Sequence, residues 1–248
     1  MTDDTKSCSH VRRPELTTAP CARFFDLEEQ IMNFLVTLLA STLDGAENEV
    51  RPKSEDAGPG KHMLYLLQYG RFVMEMLLVR ATDNLLTYIA ELLALVFTTR
   101  PETLRSNETV RLEEILQHST MEDLVQYLAE RRVERLSYQG MKDLQKDLAD
   151  RLGFEMFLSD ESLSRAIRII EVRNLIVHNR GIVNRLFQTR TGDSTVAIGN
   201  LVKINLQNTM LEDLTFLAES VGQMDERAAV KFGLHRSSTR KAIETKES

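Results

Sequence analysis

Apolar residues recur at helical spacing through most of the chain, and the breaks between these runs mark out the elements. Asp26 to Leu43 reads as one helix, with Asp26 placed to cap it and Glu28 and Glu29 suited to its positive end. The polar, glycine- and proline-bearing stretch from Asp44 to Gly60 reads as a loop. A long helical pattern then runs from about Lys61 to Thr98 and stops before Pro101. Another helix starts near Asn107. Ser119 or Thr120, followed by Glu122 and Asp123, forms a capping box for the next. Met141 to Leu152 ends at Gly153, a C-terminal cap. Ser159 or Asp160 opens a helix that leads into the segment Ile169 to Leu186. The β-branched residues of 194–205 predict a short hairpin or extended arm. A last helix covers about Leu206 to Phe232.

The predicted fold is therefore all-α: one up-and-down helical bundle with a short β-hairpin near 194–205. Only 11 glycines and 5 prolines interrupt 248 residues, which favours helix over sheet. The pattern assigns a single helical domain to residues 23–235, with flexible tails at 1–22 and 236–248. The most apolar stretch, Leu85 to Phe97, has thirteen residues including Glu91, whereas a membrane span needs about twenty. It reads as a core helix, so no membrane partner is expected. Asp3 and Asp4 precede any apolar run, which is unlike a signal peptide and points to the cytoplasm.

Charge sharpens the picture at one place. The whole chain carries a net charge of −6, which argues against indiscriminate nucleic-acid binding. Yet Leu163 to Arg190 holds six arginines, at 165, 168, 173, 180, 185 and 190, against the single acid Glu171. Such a local surplus suits an anion or a phosphate. The bland alternative is a solvated helix face whose arginines pair with acids elsewhere, Arg173 with Glu171 or another acid. Arg131, Arg132 and Arg135 have Glu130 and Glu134 beside them and read as an ordinary salt-bridged surface. Phe72, Met74 and Met76 read as core or dimer contact. Cys8, His10 and Cys21 match no zinc spacing, so no metal and no cofactor is expected.

Within the basic segment, "RNLIVH" places Asn174 and His178 four residues apart on one helix face, with Arg173 able to reach the same side. Gly181 lets the helix bend or end just after, with Arg180 at the break. These residue types fit RNA cleavage without a metal. Histidine is suited to take the 2′-hydroxyl proton, and arginine offers a fixed fork of donors to phosphate oxygens. A neighbouring asparagine can orient either group. Arg-x4-His alone arises by chance about 0.4 times in a chain of this composition, and with Asn after the Arg about 0.02 times.

At Arg173, Asn174 and His178 the sequence resembles the HEPN superfamily, whose signature is R-x4–6-H with a polar residue after the arginine. The resemblance extends over about residues 60–235 and is sharp over about fifteen of them. It implies a bundle of four or five helices and a metal-independent endoribonuclease of toxin or antiphage type. It also implies a homodimer in which two motifs share one cleft. By resemblance Arg173 and His178 are catalytic and Asn174 supports them; by charge, Arg180, Arg168 and Arg185 bind substrate. The expected partners are single-stranded or looped RNA and an antitoxin or regulatory protein. The alternative is a non-catalytic relative that dimerises or binds a partner, or a regulatory subunit whose 194–205 arm pairs with another chain.

Overall fold

The computed structural model describes residues 13–49, 61–105, 109–204 and 210–238, with side chains from 13–37, 69–105, 109–204 and 210–238. Eight α-helices follow in order among them: α1 Ala19–Glu49, α2 Lys61–Thr99, α3 Leu112–Ile115, α4 Met121–Ser137, α5 Met141–Leu152, α6 Asp160–Asn179, α7 Arg185–Thr191 and α8 Leu211–Phe232. A 3-10 turn at Pro101–Leu104 follows α2. The strands β1, Leu16–Thr17, and β2, Ser237–Ser238, pair antiparallel. The protein is an all-α bundle with a minimal β ladder.

Helix α2 is the axis, packed against α1, α4, α6 and α8. Its residues Leu85, Tyr88, Ile89, Leu92, Leu93, Val96 and Phe97 are all buried, which leaves little of its C-terminal half in water. The segment Tyr69–Thr99 is long and apolar enough to cross a membrane, but most of its apolar window is covered by the other helices. Each fully buried side chain of this kind contributes roughly 1.5–3 kcal/mol, so covering α2 outweighs any local preference. Three consecutive polar residues, Thr82, Asp83 and Asn84, interrupt it at its middle, and each finds a partner. Thr82 Oγ1 donates to its own helix at Leu78 O (2.7 Å). Asn84 Nδ2 donates to Phe24 O of α1 (3.0 Å). Asp83 turns outward to α6.

The registers give the directions. Asn84 meets Phe24, and Arg23 Nη2 meets Glu91 Oε2 at 3.0 Å, so the first turns of α1 pack against the C-terminal half of α2. Arg173 of α6 meets Asp83, while Gly181 beyond its end lies beside Arg71 and Glu75, so α6 is antiparallel to α2. Helix α8 ends where α2 ends, with Arg100 Nε donating to Phe232 O at 2.8 Å.

Several caps fall where the sequence puts them. Thr120 Oγ1 accepts from Asp123 N at 3.1 Å, Ser159 Oγ accepts from Ser162 N at 3.1 Å, and Gly153 ends α5 with φ 59°. The N-terminal boundary does not. Residues 13–22 belong to the domain: α1 begins at Ala19, and Cys21 is fully buried. Pro20 does not break the helix, because first-turn amides have no helical acceptor to lose. Asp26 therefore lies inside α1, where it pairs with Arg13 at 2.6 Å instead of capping. Helix α1 also runs on through Asp44–Glu49, shortening the expected loop. The helix expected near Asn107 is the single turn α3; Asn107 itself lies outside the described residues. The β ladder is at the chain ends, carrying the domain to Ser238. The 194–204 arm instead makes one antiparallel bridge, Leu201 with Ile182. Tails 1–12 and 239–248 lie outside the described residues.

The ends are fastened by Asp225 of α8, which is fully buried. It accepts hydrogen bonds from Thr18 Oγ1 and from Thr18 N (3.1 Å) at the start of α1. Arg236 lies near the same carboxylate and donates to Leu16 O of β1.

One core carboxyl has no such support. Glu28 is 5% exposed, and neither oxygen has a hydrogen-bond partner among the described residues. Burial pushes it from its ordinary value of 4.5 up to about 7. The folded value lies above the unfolded one, so its contribution is complete below about pH 4.5 and is lost as pH rises through 7. The loss is about 3 kcal/mol. Glu28→Leu is expected to flatten this slope and to stabilise the protein by about 2–3 kcal/mol at pH 8, read by chemical denaturation at pH 5 and pH 8. A variant with an unchanged slope sinks the assignment.

Candidate functional site

The motif occupies the last two turns of α6. Ile169, Ile170, Val172 and Leu175 are buried and fix that helix in the bundle. Asn174 and Ile176 are half-buried, and Val177 and His178 are exposed. The buried side of this segment is thus mainly apolar, with Glu171 the charged exception, while Val177 is exposed beside His178.

Arg173 is held on two sides. Its Nη2 lies 2.7 Å from Asp83 Oδ1 of α2, and its Nη1 donates to Asn174 Oδ1 at 3.1 Å. Its Nε is buried and has no acceptor among the described residues. The bland reading pairs Arg173 with Glu171 or another acid, and the structure shows another acid, Asp83; Glu171 pairs with Arg190 at 2.9 Å. His178 stands one turn past Asn174 on the same face. Its ring makes no hydrogen bond or ion pair with a described residue.

The helix ends in a sharp turn. Arg180 is its C-cap with φ 55°, the sole non-glycine residue among the described ones with positive φ. The amide N–H groups of Arg180 and Gly181 both reach Leu175 O, the latter at 2.9 Å, and Gly181 has φ 74°. A left-handed arginine costs roughly 1 kcal/mol, which the closure of the turn offsets. Backbone bonds from Val183 N to Asn200 O (2.8 Å) and from Val202 N to Gly181 O (2.8 Å) clamp the arm over this turn.

The six arginines do not act as one patch. Arg165 pairs with Asp213 at 3.0 Å, Arg168 with Asp193 at 3.3 Å, Arg173 with Asp83 and Arg190 with Glu171. Six cations against four acids leave a surplus of two rather than the five counted along the chain. Asp83, Asp193 and Asp213 all come from outside the segment that was counted. Arg168 is also ten residues before His178, roughly 15 Å along the helix, so the structure does not bring it to the motif. Hydrogen bonds from Thr195, together with Arg168, hold the Asp193 carboxyl below its usual range. Burial raises that of Asp213 against the pull of Arg165. Arg180 and Arg185 are exposed and make no ion pair among the described residues; Arg185 opens α7 just after the turn.

Arg131 and Arg132 also bridge elements. Arg131 reaches Glu114 (2.7 Å) and Arg132 reaches Asp147 (2.8 Å). Of the cysteine and histidine trio, Cys8 and His10 lie outside the described residues, and burial pushes the Cys21 thiol up. Among the described residues no three His, Cys, Asp or Glu side chains gather as a metal would require. A shallow cavity of about 300 Å³ lies away from the motif, between the end of α5 and α8, lined in part by Gly153, Arg227 and Lys231.

Sequence reasoning missed Asp83 and Arg80, which come from α2, some ninety residues before the motif. Their one signal was the stripe Tyr69, Phe72, Met76, Arg80, Asp83 at three- and four-residue steps. No family model, curated protein or solved structure matches the chain.

Two substitutions test the turn. Arg180→Gly removes the left-handed penalty and is expected to leave stability unchanged or raise it by up to about 1 kcal/mol. Gly181→Ala keeps an unfavourable φ and sets a Cβ 3.2 Å from Arg71 Nη2, so it is expected to cost more than about 1 kcal/mol. Thermal unfolding of the two variants should separate them in opposite directions; a common direction contradicts the geometry.

Proposed function

We propose that the protein is a metal-independent endoribonuclease of the kind its R-N-x3-H motif resembles, the HEPN superfamily. The observation that carries this reading is the constellation at the end of α6. An exposed histidine stands five residues past an arginine whose guanidinium is oriented by Asn174 and Asp83. His178 takes the 2′-hydroxyl proton, and the 2′-oxygen attacks the adjacent phosphorus. Arg173 and Arg180 stabilise the charge that develops on the phosphate oxygens. The 5′-oxygen leaves with a proton, giving a 2′,3′-cyclic phosphate and a 5′-hydroxyl. Flexible RNA reaches the in-line geometry that a stacked duplex resists, which favours single-stranded or looped substrates.

Two chains meeting motif to motif would let the second His178 supply the leaving-group proton. An enzyme of this kind in the cytoplasm acts on the cell's own RNA, so the reading includes a toxin or antiphage role and an antitoxin or regulatory partner. A second reading, a binding protein without catalysis, draws on the Asp83–Arg173 pair. That pair already neutralises the cation a phosphate would need. The arm at 194–204 offers less to a regulatory partner than its sequence suggests, because its backbone is engaged with 181–183.

Expression of the wild type is expected to slow growth and to yield RNA fragments ending in cyclic phosphate, with cleavage persisting in EDTA. His178→Ala should reduce cleavage by at least about 100-fold. Intact RNA and equal growth with both proteins would favour the binding reading.

A further inference from the structure

The catalytic reading leaves one feature of α2 unexplained. Tyr69, Phe72 and Met76 are 49%, 61% and 56% exposed, on a helix whose later turns are buried on nearly every side. Only Met74, among the phenylalanine and methionines of this stretch read as core or contact, is buried.

The position of this stripe is defined by its neighbours. At 100° per residue, Phe72, Met76 and Asp83 fall within about 20° of one line on the helix surface. Asp83 is the residue that binds Arg173. At the lower end, Arg71 and Glu75 flank Gly181; a Cβ there would lie 3.2 Å from Arg71 Nη2 and 3.6 Å from Glu75 Oε1. Helix α6 therefore runs beside the stripe from Asp83 down to Arg71. With equal rise in the two helices, Arg180 is level with Met76, and Phe72 lies one turn beyond. Arg80 stands between Met76 and Asp83, exposed and without an ion pair among the described residues.

Phe72 and Met76 thus lie in line with the motif, and Tyr69 stands about 60° round the helix from Phe72 on the side away from α6. Arg80, His178 and Arg180 border the stripe, and none is neutralised by a described acid. Flat rings stack on unpaired bases, and unpaired cations follow a phosphate backbone. We propose that Tyr69 and Phe72 form a base-stacking shelf, along which single-stranded RNA lies with its reacting phosphate at Arg173 and His178. This rests on the nuclease reading for the position of the phosphate. The shelf gives the substrate class a physical cause: bases paired in a duplex cannot present their faces to it.

The chain has no tryptophan, so Phe72→Trp in a His178→Ala background carries the sole indole. Val230→Trp is the control: it is an exposed position at the far end of α2, roughly 40 Å away by helix length. Single-stranded oligoadenylate is expected to quench the indole at 72 and leave that at 230 unchanged, and the same strand annealed to oligouridylate should quench neither. Phe72→Ala and Tyr69→Ala should each weaken oligoadenylate binding about five- to one-hundred-fold. In the His178-bearing protein they should raise KM and leave kcat within about threefold. RNA binding with no change at the indole of position 72 overturns the shelf. So does a blue shift there that grows with protein concentration in the absence of RNA, which marks a second copy on the stripe. Quenching without any His178-dependent cleavage keeps the shelf and removes the nuclease. Cleavage with an unchanged KM in Phe72→Ala keeps the nuclease and removes the shelf.

Discussion

The fold depends on one constraint: the C-terminal half of α2 is too apolar to face water on most of its sides. Covering it takes four helices, and α1, α4, α6 and α8 supply them. Their positions follow from that demand, as do the few polar groups admitted between them. Asn84 is tolerated because Phe24 O accepts from it, and Thr82 because it bonds to its own helix. Toward Tyr69 the cover thins, and α2 becomes a surface. The same helix is the core at one end and a wall of the candidate site at the other.

The helical pattern was legible because burial imposes its period on sequence. The span of α2, the caps at Thr120 and Ser159 and the glycine stop at Gly153 all rest on local chemistry, within one or two turns of chain. The start of α1 was not legible. Pro20 and the polar residues before it look like a tail until Asp225, some two hundred residues later, supplies the carboxylate that Thr18 binds. Tertiary partners of this kind leave no local mark. The same limit applies to charge. Arginines can be counted along a segment, but the acids that neutralise them arrive from α2, α8 and the loop at Asp193.

That redistribution changes how α6 is understood. Its buried face is ordinary, whereas its exposed end concentrates a constrained arginine, an unengaged histidine and a left-handed turn. Burying Arg173 Nε without an acceptor and holding Arg180 at φ 55° both cost stability. The apolar anchorage at Ile169, Val172 and Leu175 is what allows a short stretch of helix to hold such groups in place.

The pairing of Leu16 with Ser238 and of Thr18 with Asp225 makes the described chain almost a closed ring. On a ribosome, α1 emerges before the other described helices, and its opening turn lacks its carboxylate until α8 has been made. Of those helices it is therefore the one that waits longest for its contacts. A covalent link between β1 and β2 would shorten that wait by turning a distant pair into neighbours. New ends could then be opened elsewhere, at an exposed turn such as the one around Tyr138, with the bundle unchanged.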